Sequence, residues 1–179
     1  MDSPKTLIDL YLPEYSFNEC HDIVVNRSIE RVYQAARNFD LSKSKRIKIL
    51  FKLRGLPTER LNLQDFIKDV GFTNLEENPP LENLIGFWAK TKIEPVTGRE
   101  DFIHNAISAR VKVVWNFRFQ KLSRAQTRVS TETRVLCVSP GARVTFGAYW
   151  SLIKPFSGAI RKKMLQIIRQ DSESMSKSE

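Results

Sequence analysis

The chain has 179 residues, enough for one domain with a substantial core, and its 41% hydrophobic and 27% charged content is that of a globular protein. No apolar run approaches the roughly 18–20 residues of a membrane-spanning helix, and the N-terminus lacks the charged, apolar, small-residue order of a secretory signal. The two cysteines, Cys20 and Cys137, are too few for a disulfide framework and read as buried or half-buried thiols, so the expected compartment is the cytoplasm.

Residues 1–16, with Pro4 and Pro13, read as a lead-in. Phe17 to Val25 predicts a first strand. Asn26 or Ser28 then caps a helix over Ile29 to Phe39, with Ile29, Val32, Tyr33 and Ala36 on one face. A second helical stretch covers Lys43 to Arg54, with Gly55 just beyond it as a stop. A third runs from Leu63 to Val70, capped by Asn62 and stopped by Gly71. Past Gly71 the period changes. Phe72–Glu77 and Asn83–Lys90 read as strands separated by Pro79-Pro80, followed by a loop with Pro95 and Gly98.

Two strands then alternate cleanly. Val111, Val113, Trp115, Phe117 and Phe119 share one face, and Lys112, Val114, Asn116 and Arg118 the other. In Thr127 to Val138, Val129, Thr131, Thr133 and Val135 face one way and Arg128, Ser130, Glu132 and Arg134 the other, with a glycine-free turn at 123–126 between the strands. Such strands are half-buried and antiparallel, with the Lys112, Arg118 and Glu132 side in water.

Ser139 to Asp171 predicts one long helix: Ser139 suits the N-cap and Pro140 the first helical position. Ala142, Phe146, Tyr149, Ile153, Phe156, Ile160, Met164 and Ile167 recur at helical spacing, and a kink is expected at Pro155. Residues 172–179 read as a disordered tail behind a single domain of residues 1–171. The order predicts an α+β layer with the long helix lying across one face of an antiparallel sheet.

That order, with YLPEY at 11–15, CHDIVV at 20–25, LFKLRGLP at 50–57, GFW at 86–88, VVWNFRF at 113–119, TRVSTETRV at 127–135 and YWSLIKPFSGAIRKKML at 149–165, resembles the START-like superfamily, also called SRPBCC or the polyketide-cyclase and lipid-transport-like group. The likeness is nearest to a bacterial branch that brings no catalytic residues. It implies the helix-grip fold, a curved antiparallel sheet wrapped around a long C-terminal helix, with a cavity between them.

In such a cavity Trp115, Phe117, Tyr149, Ile153, Phe156 and Ile160 are the expected lining, with Trp88 on a neighbouring strand and hydroxyls from Thr131 and Thr133. The competing reading is that these periodic apolar residues simply fill a core. Aromatic-lined clefts with a few polar groups are the usual small-molecule sites, and a pocket of at least about 300 Å³ is expected.

Other chemistry finds little support. His21 and His104 lie far apart and no Cys/His cluster has ligand spacing, so no metal is expected. Cys20 and His21 are neighbours on a strand and point to opposite faces; His21 reads as structural. Glu132, Arg134 and Arg118 read as a hydrated cross-strand ion-pair ladder. No nucleophile–base pair or phosphate-cradling glycine loop is present, and neither a catalytic residue nor a cofactor is assigned.

The net charge of +9 is concentrated in two places. Lys43, Lys45, Arg46, Lys48, Lys52 and Arg54 share one helix with the apolar stripe Ile47, Leu50, Phe51 and Leu53; Lys154, Arg161, Lys162, Lys163 and Arg169 lie on the C-terminal helix. A basic amphipathic helix suits an anionic membrane surface, or is a core helix with a hydrated outer face. No nucleic-acid-reading motif accompanies the charge. The expected partner is a hydrophobic or amphipathic small molecule held by burial. The alternatives are a cyclase- or dehydratase-type enzyme, for which Tyr149 is the best acid, and a surface-binding protein using the basic helix.

Overall fold

The chain is described from a computed structural model that covers residues 5–53, 58–59, 61–90, 92–94, 96–104 and 109–174. The expected stop at Gly55, the loop residue Pro95 and the tail beyond Ser174 lie outside them. Alternation at period two builds an antiparallel sheet from β1 (Phe17–Val25), β2 (Thr73–Asn78), β3 (Glu82–Ala89), β4 (Ile93–Glu94), β5 (Val111–Ser123) and β6 (Gln126–Cys137). The strand order is β1-β6-β5-β3-β2, with β4 on β3. The β5–β6 hairpin turns through Arg124 and Ala125, with Ser123 paired to Gln126. A two-residue hairpin turn of the favoured types needs positive φ. No described non-glycine residue has one, and the register shifts instead between Lys121 and Ser123.

One face of the sheet carries four helices: α2 (Ile29–Asn38), α3 (Lys45–Leu53), α4 (Leu63–Asp69) and α6 (Pro140–Ser174). The predicted face of α2 is buried throughout, and Asn62 caps α4 by accepting a hydrogen bond from Asp65 N at 2.9 Å. Ile47 and Phe51 of α3 enter the core, while Lys45, Lys48 and Lys52 stay exposed. The long helix starts as expected, with Ala142 N donating to Ser139 Oγ at 3.2 Å. It continues through Pro155, whose ring and the preceding Ser151 lie on the exposed side, where water can reach the carbonyl that proline leaves without a donor. It ends three residues past Asp171, so residues 172–174 are helical rather than tail.

The second face corrects the reading of a wet side and adds a helix to the lead-in. Leu7–Tyr11 forms a short helix, α1, whose Thr6 N and Oγ1 both donate to Asp9 Oδ2. The signal was present as Thr-x-x-Asp ahead of an apolar pair. With α5 (Arg99–His104) it buries Leu7, Ile8, Tyr11, Leu12 and Phe102 against Leu84, Trp88 and Val114 on the outer side of the sheet. Polar residues there become interior. Glu82, 5% exposed, accepts from Leu7 N (2.8 Å), Ile8 N (3.4 Å) and Asn116 Nδ2 (2.7 Å). Lys112 is 8% exposed, its ammonium donating to the Phe102 and Ile103 carbonyls, and burial lowers its pKa. Arg134 bridges Glu132, Asp9 and the Leu12 carbonyl. Trp115, Phe117 and Phe119 are buried and Arg118 exposed, but Lys112 is interior beneath α5 and Glu132 is half-buried beside Arg134.

Candidate functional site

The inner face holds two packed groups. One centres on Trp115, Phe117, Phe119 and the end of α6 from Ile160 to Ile168. The other joins Val111, Val113 and Val135 to Trp150, with Phe17, Phe146 and Ile153 against it. Between them lies a cavity of about 370 Å³. Its floor is Ile85, Phe87 and Ala89 of β3, Val111, Val113 and Trp115 of β5, and Thr133 and Val135 of β6. Phe51, Phe66 and Phe72 close one side, with Phe72 stacked on Phe87 at 4.4 Å between ring centres. Its roof is α6: Phe146, Tyr149, Trp150 and Ile153, then Ser157, Ile160, Arg161 and Met164. Tyr149 and Ile93 line it while also reaching solvent.

Five of the expected lining residues therefore surround one space: Trp115, Thr133, Tyr149, Ile153 and Ile160. The others lie elsewhere. Trp88 points to the outer face, in register with Lys112, and packs with the α1 group. Phe117 sits in the closed core, edge-on to Phe39 at 5.8 Å. Thr131 lies behind Trp115, accepting its indole N–H at 2.9 Å and donating to the Asn116 carbonyl at 2.7 Å. Phe156 falls on the outer side of α6 and is 37% exposed. The helix faces the sheet along Ala142, Phe146, Trp150, Ile153, Ser157, Ile160 and Met164, a strict 3.6-residue stripe.

Charged side chains also face inward. Arg161, expected on the hydrated side, lines the cavity with its guanidinium 3.8 Å above the Trp115 ring centre. Glu19 and His21, alternate residues of β1, point at α6 and meet at 3.1 Å. Gly158 is what admits them: a Cβ there would lie 2.5 Å from Glu19 Oε1 and 3.2 Å from His21 Nε2. The Glu19 side chain is 9% exposed, and its Oε2 has no hydrogen-bond partner among the described residues. Glu19 pairs across the sheet with Thr133, one strand beyond the cavity floor. His21 thus keeps a structural partner, while Cys20, on the opposite face, is exposed rather than buried; burial of part of its surface pushes its thiol pKa up, away from reactivity. Among the described residues no group of three or more His, Cys, Asp or Glu is placed to hold a metal, and no helix is long and apolar enough to cross a membrane.

No protein-family model and no curated protein matches the sequence. Among solved structures the chain is similar to a protein of Thermus thermophilus, with 11% identity over 89% of this chain and 99% of that one, at a TM-score of 0.39. It is similar to the ZhuI aromatase/cyclase of a Streptomyces species at 12% identity, covering 90% of this chain and 96% of that one, TM-score 0.38. It is also similar to the oxygenase of a carbazole dioxygenase complex at 6% identity, covering 88% of this chain and 47% of that one, TM-score 0.43. The antiparallel sheet with a long C-terminal helix across one face is the α+β arrangement that the order of elements predicts.

Proposed function

We propose that the chain binds a hydrophobic or amphipathic small molecule between the sheet and α6, in the cytoplasm. The observation that supports this most is the 370 Å³ cavity walled by aromatic and aliphatic side chains with a few polar groups, a size inside the range of about 300–1,000 Å³ for ligand sites. Burial of an apolar body contributes roughly 25 cal/mol per Å² removed from water, so binding needs no reaction and no cofactor. Native mass spectrometry of protein purified from its host, followed by organic extraction, tests the reading: a retained apolar molecule supports it. The half-buried Ile153 offers the matching variant. Ile153→Trp fills the space, and is expected to abolish retention with little change in melting temperature. A destabilisation of about 1–3 kcal/mol without effect on any bound molecule would mean that the site is ordinary core.

A second surface supports docking on an anionic membrane. No acidic residue occurs in α3 or between Pro140 and Gln170 of α6, and the two helices pack together. Their outer sides expose Ile49 (60%), Val144 (75%) and Leu152 (69%) among lysines and arginines. Binding to phosphatidylserine vesicles is expected at low salt and to fall steeply toward 1 M, as the screening length shrinks from about 30 to about 3 Å. Changing Lys45, Lys48 and Lys52 to Gln is expected to weaken it about a hundredfold, at roughly 1 kcal/mol per cation. No vesicle binding at low salt would leave α3 as a core helix with a hydrated outer side.

A further inference from the structure

We infer that the cavity takes a neutral apolar molecule carrying a hydroxyl, with that hydroxyl seated between Thr133 on the floor and Ser157 on the roof. This rests on the reading of the cavity as a ligand site and adds the chemical class of the ligand. Both residues line the cavity, and at 6% and 8% exposure both are more than nine-tenths buried. Neither side-chain hydroxyl has a hydrogen-bond partner among the described residues. Their neighbours behave differently. On α6, Thr145, Ser151, Ser172 and Ser174 each donate to a carbonyl earlier in the helix. Ser157 does not make that bond. On β6, the other buried hydroxyls, Thr127 and Thr131, donate to the Arg27 and Asn116 carbonyls. A buried polar group without a partner costs about 1–3 kcal/mol. The buried hydroxyls of these two elements that go without one are thus the two that face the cavity, and what enters the cavity is placed to supply it.

The two residues belong to one end of the cavity. Thr133 stands directly across from Glu19 on β1, where side chains of a pair share a face. Ser157 adjoins Gly158, the position whose added Cβ would lie 2.5 Å from Glu19 Oε1. Floor and roof therefore meet beside the same carboxyl. Its Oε2 is buried and also lacks a partner among the described residues. Each hydroxyl brings one proton against two lone pairs, and an ionised carboxylate brings lone pairs alone. This end is rich in acceptors, so the group that suits it is a donor. A hydroxyl donates one bond and accepts another, whereas an ether or a carboxylate only accepts. The rest of the ligand meets hydrocarbon: Phe87, on β3 beyond β5, is stacked with Phe72, and Phe146 and Ile153 close the roof.

The experiment is equilibrium dialysis against four probes that share one body: 2-naphthol, 2-methoxynaphthalene, 2-methylnaphthalene and 2-naphthoate. They present a hydroxyl, an acceptor alone, no oxygen and an anion. Naphthol is expected to bind most tightly. Thr133→Val and Ser157→Ala are each expected to lower its affinity about two- to tenfold, the size of one neutral hydrogen bond, and to leave methylnaphthalene unchanged. Equal binding of naphthol and methylnaphthalene to the wild type would overturn the seat, leaving the two hydroxyls to water and the cavity reading intact. Methoxynaphthalene or naphthoate binding as tightly as naphthol would overturn the donor. Equal loss of naphthol and methylnaphthalene in the two variants would mean repacking and would also overturn the seat. If Ile153→Trp leaves the binding of every probe unchanged, the cavity reading itself fails and takes this proposal with it. Circular dichroism and urea melts of each variant identify any loss that comes from unfolding.

Discussion

Replacing Glu82 by leucine is expected to destabilise the protein by about 3–5 kcal/mol, since hydrogen bonds to a charged group are worth about 1.5–3 kcal/mol each and two short ones are lost. Leucine keeps the volume and excludes water, so the N–H of Leu7 and Ile8 and the amide of Asn116 would face hydrocarbon. Glu82→Gln keeps one acceptor oxygen and is expected to cost about half as much. Urea unfolding reads the energy, and hydrogen exchange over residues 7–12 reads its location. A change below about 1 kcal/mol would show that the first helix is held by its apolar contacts alone.

The same clamp carries an acid dependence. Burial by itself would raise the Asp9 carboxyl, but hydrogen bonds from Thr6 and Arg134 outweigh it and hold the group below its ordinary value. A carboxylate depressed on folding contributes stability that is present above its unfolded pKa, near 4, and is lost as pH falls through the lower folded value. Release of the first helix on acidification is therefore expected below pH about 4. Removing the partner with Arg134→Met should shift that release upward in pH.

Trp115→Ala is expected to cost about 3–5 kcal/mol, the usual range for a buried aromatic truncated to alanine. The ring is 4% exposed, packs edge-on against Phe117 and carries the Arg161 guanidinium on its other side. Trp115→Phe keeps a π face and loses only the N–H to Thr131, so about 1 kcal/mol is expected, with ligand binding retained. If both variants lose binding equally while differing in stability, the indole N–H rather than the ring face matters to the cavity.

How far the site was legible follows from which regularities are local. Within one strand the side-chain period of two decides the faces, so Trp115 and Thr133 are placed on a common side by their own alternation. Between strands the register decides, and no local pattern contains it. Trp88 has the composition of a cavity residue, yet pairing with Lys112 sends it to the far side of the sheet. On α6, Tyr149 and Trp150 are adjacent aromatics and hydropathy does not rank them. The buried stripe passes through Trp150 and then through Ser157 and Gly158, small residues that no hydrophobic pattern selects. Gly158 is small because Glu19 and His21 come up from the sheet to meet it.

Composition and periodicity by themselves determined the α+β class, the strands, the long capped helix and the side of the central hairpin that is apolar. Those features depend on contacts within a few residues or on a repeat along one element. Tertiary structure alone decided that Lys112, Asn116 and Arg134, on the polar side of the hairpin, are interior, because α1 and α5 pack on that side of the sheet. It alone decided that Arg161 turns inward, because a long cationic side chain takes whichever surface offers it compensation. That compensation is the face of Trp115, 46 residues earlier in sequence and 3.8 Å away in space.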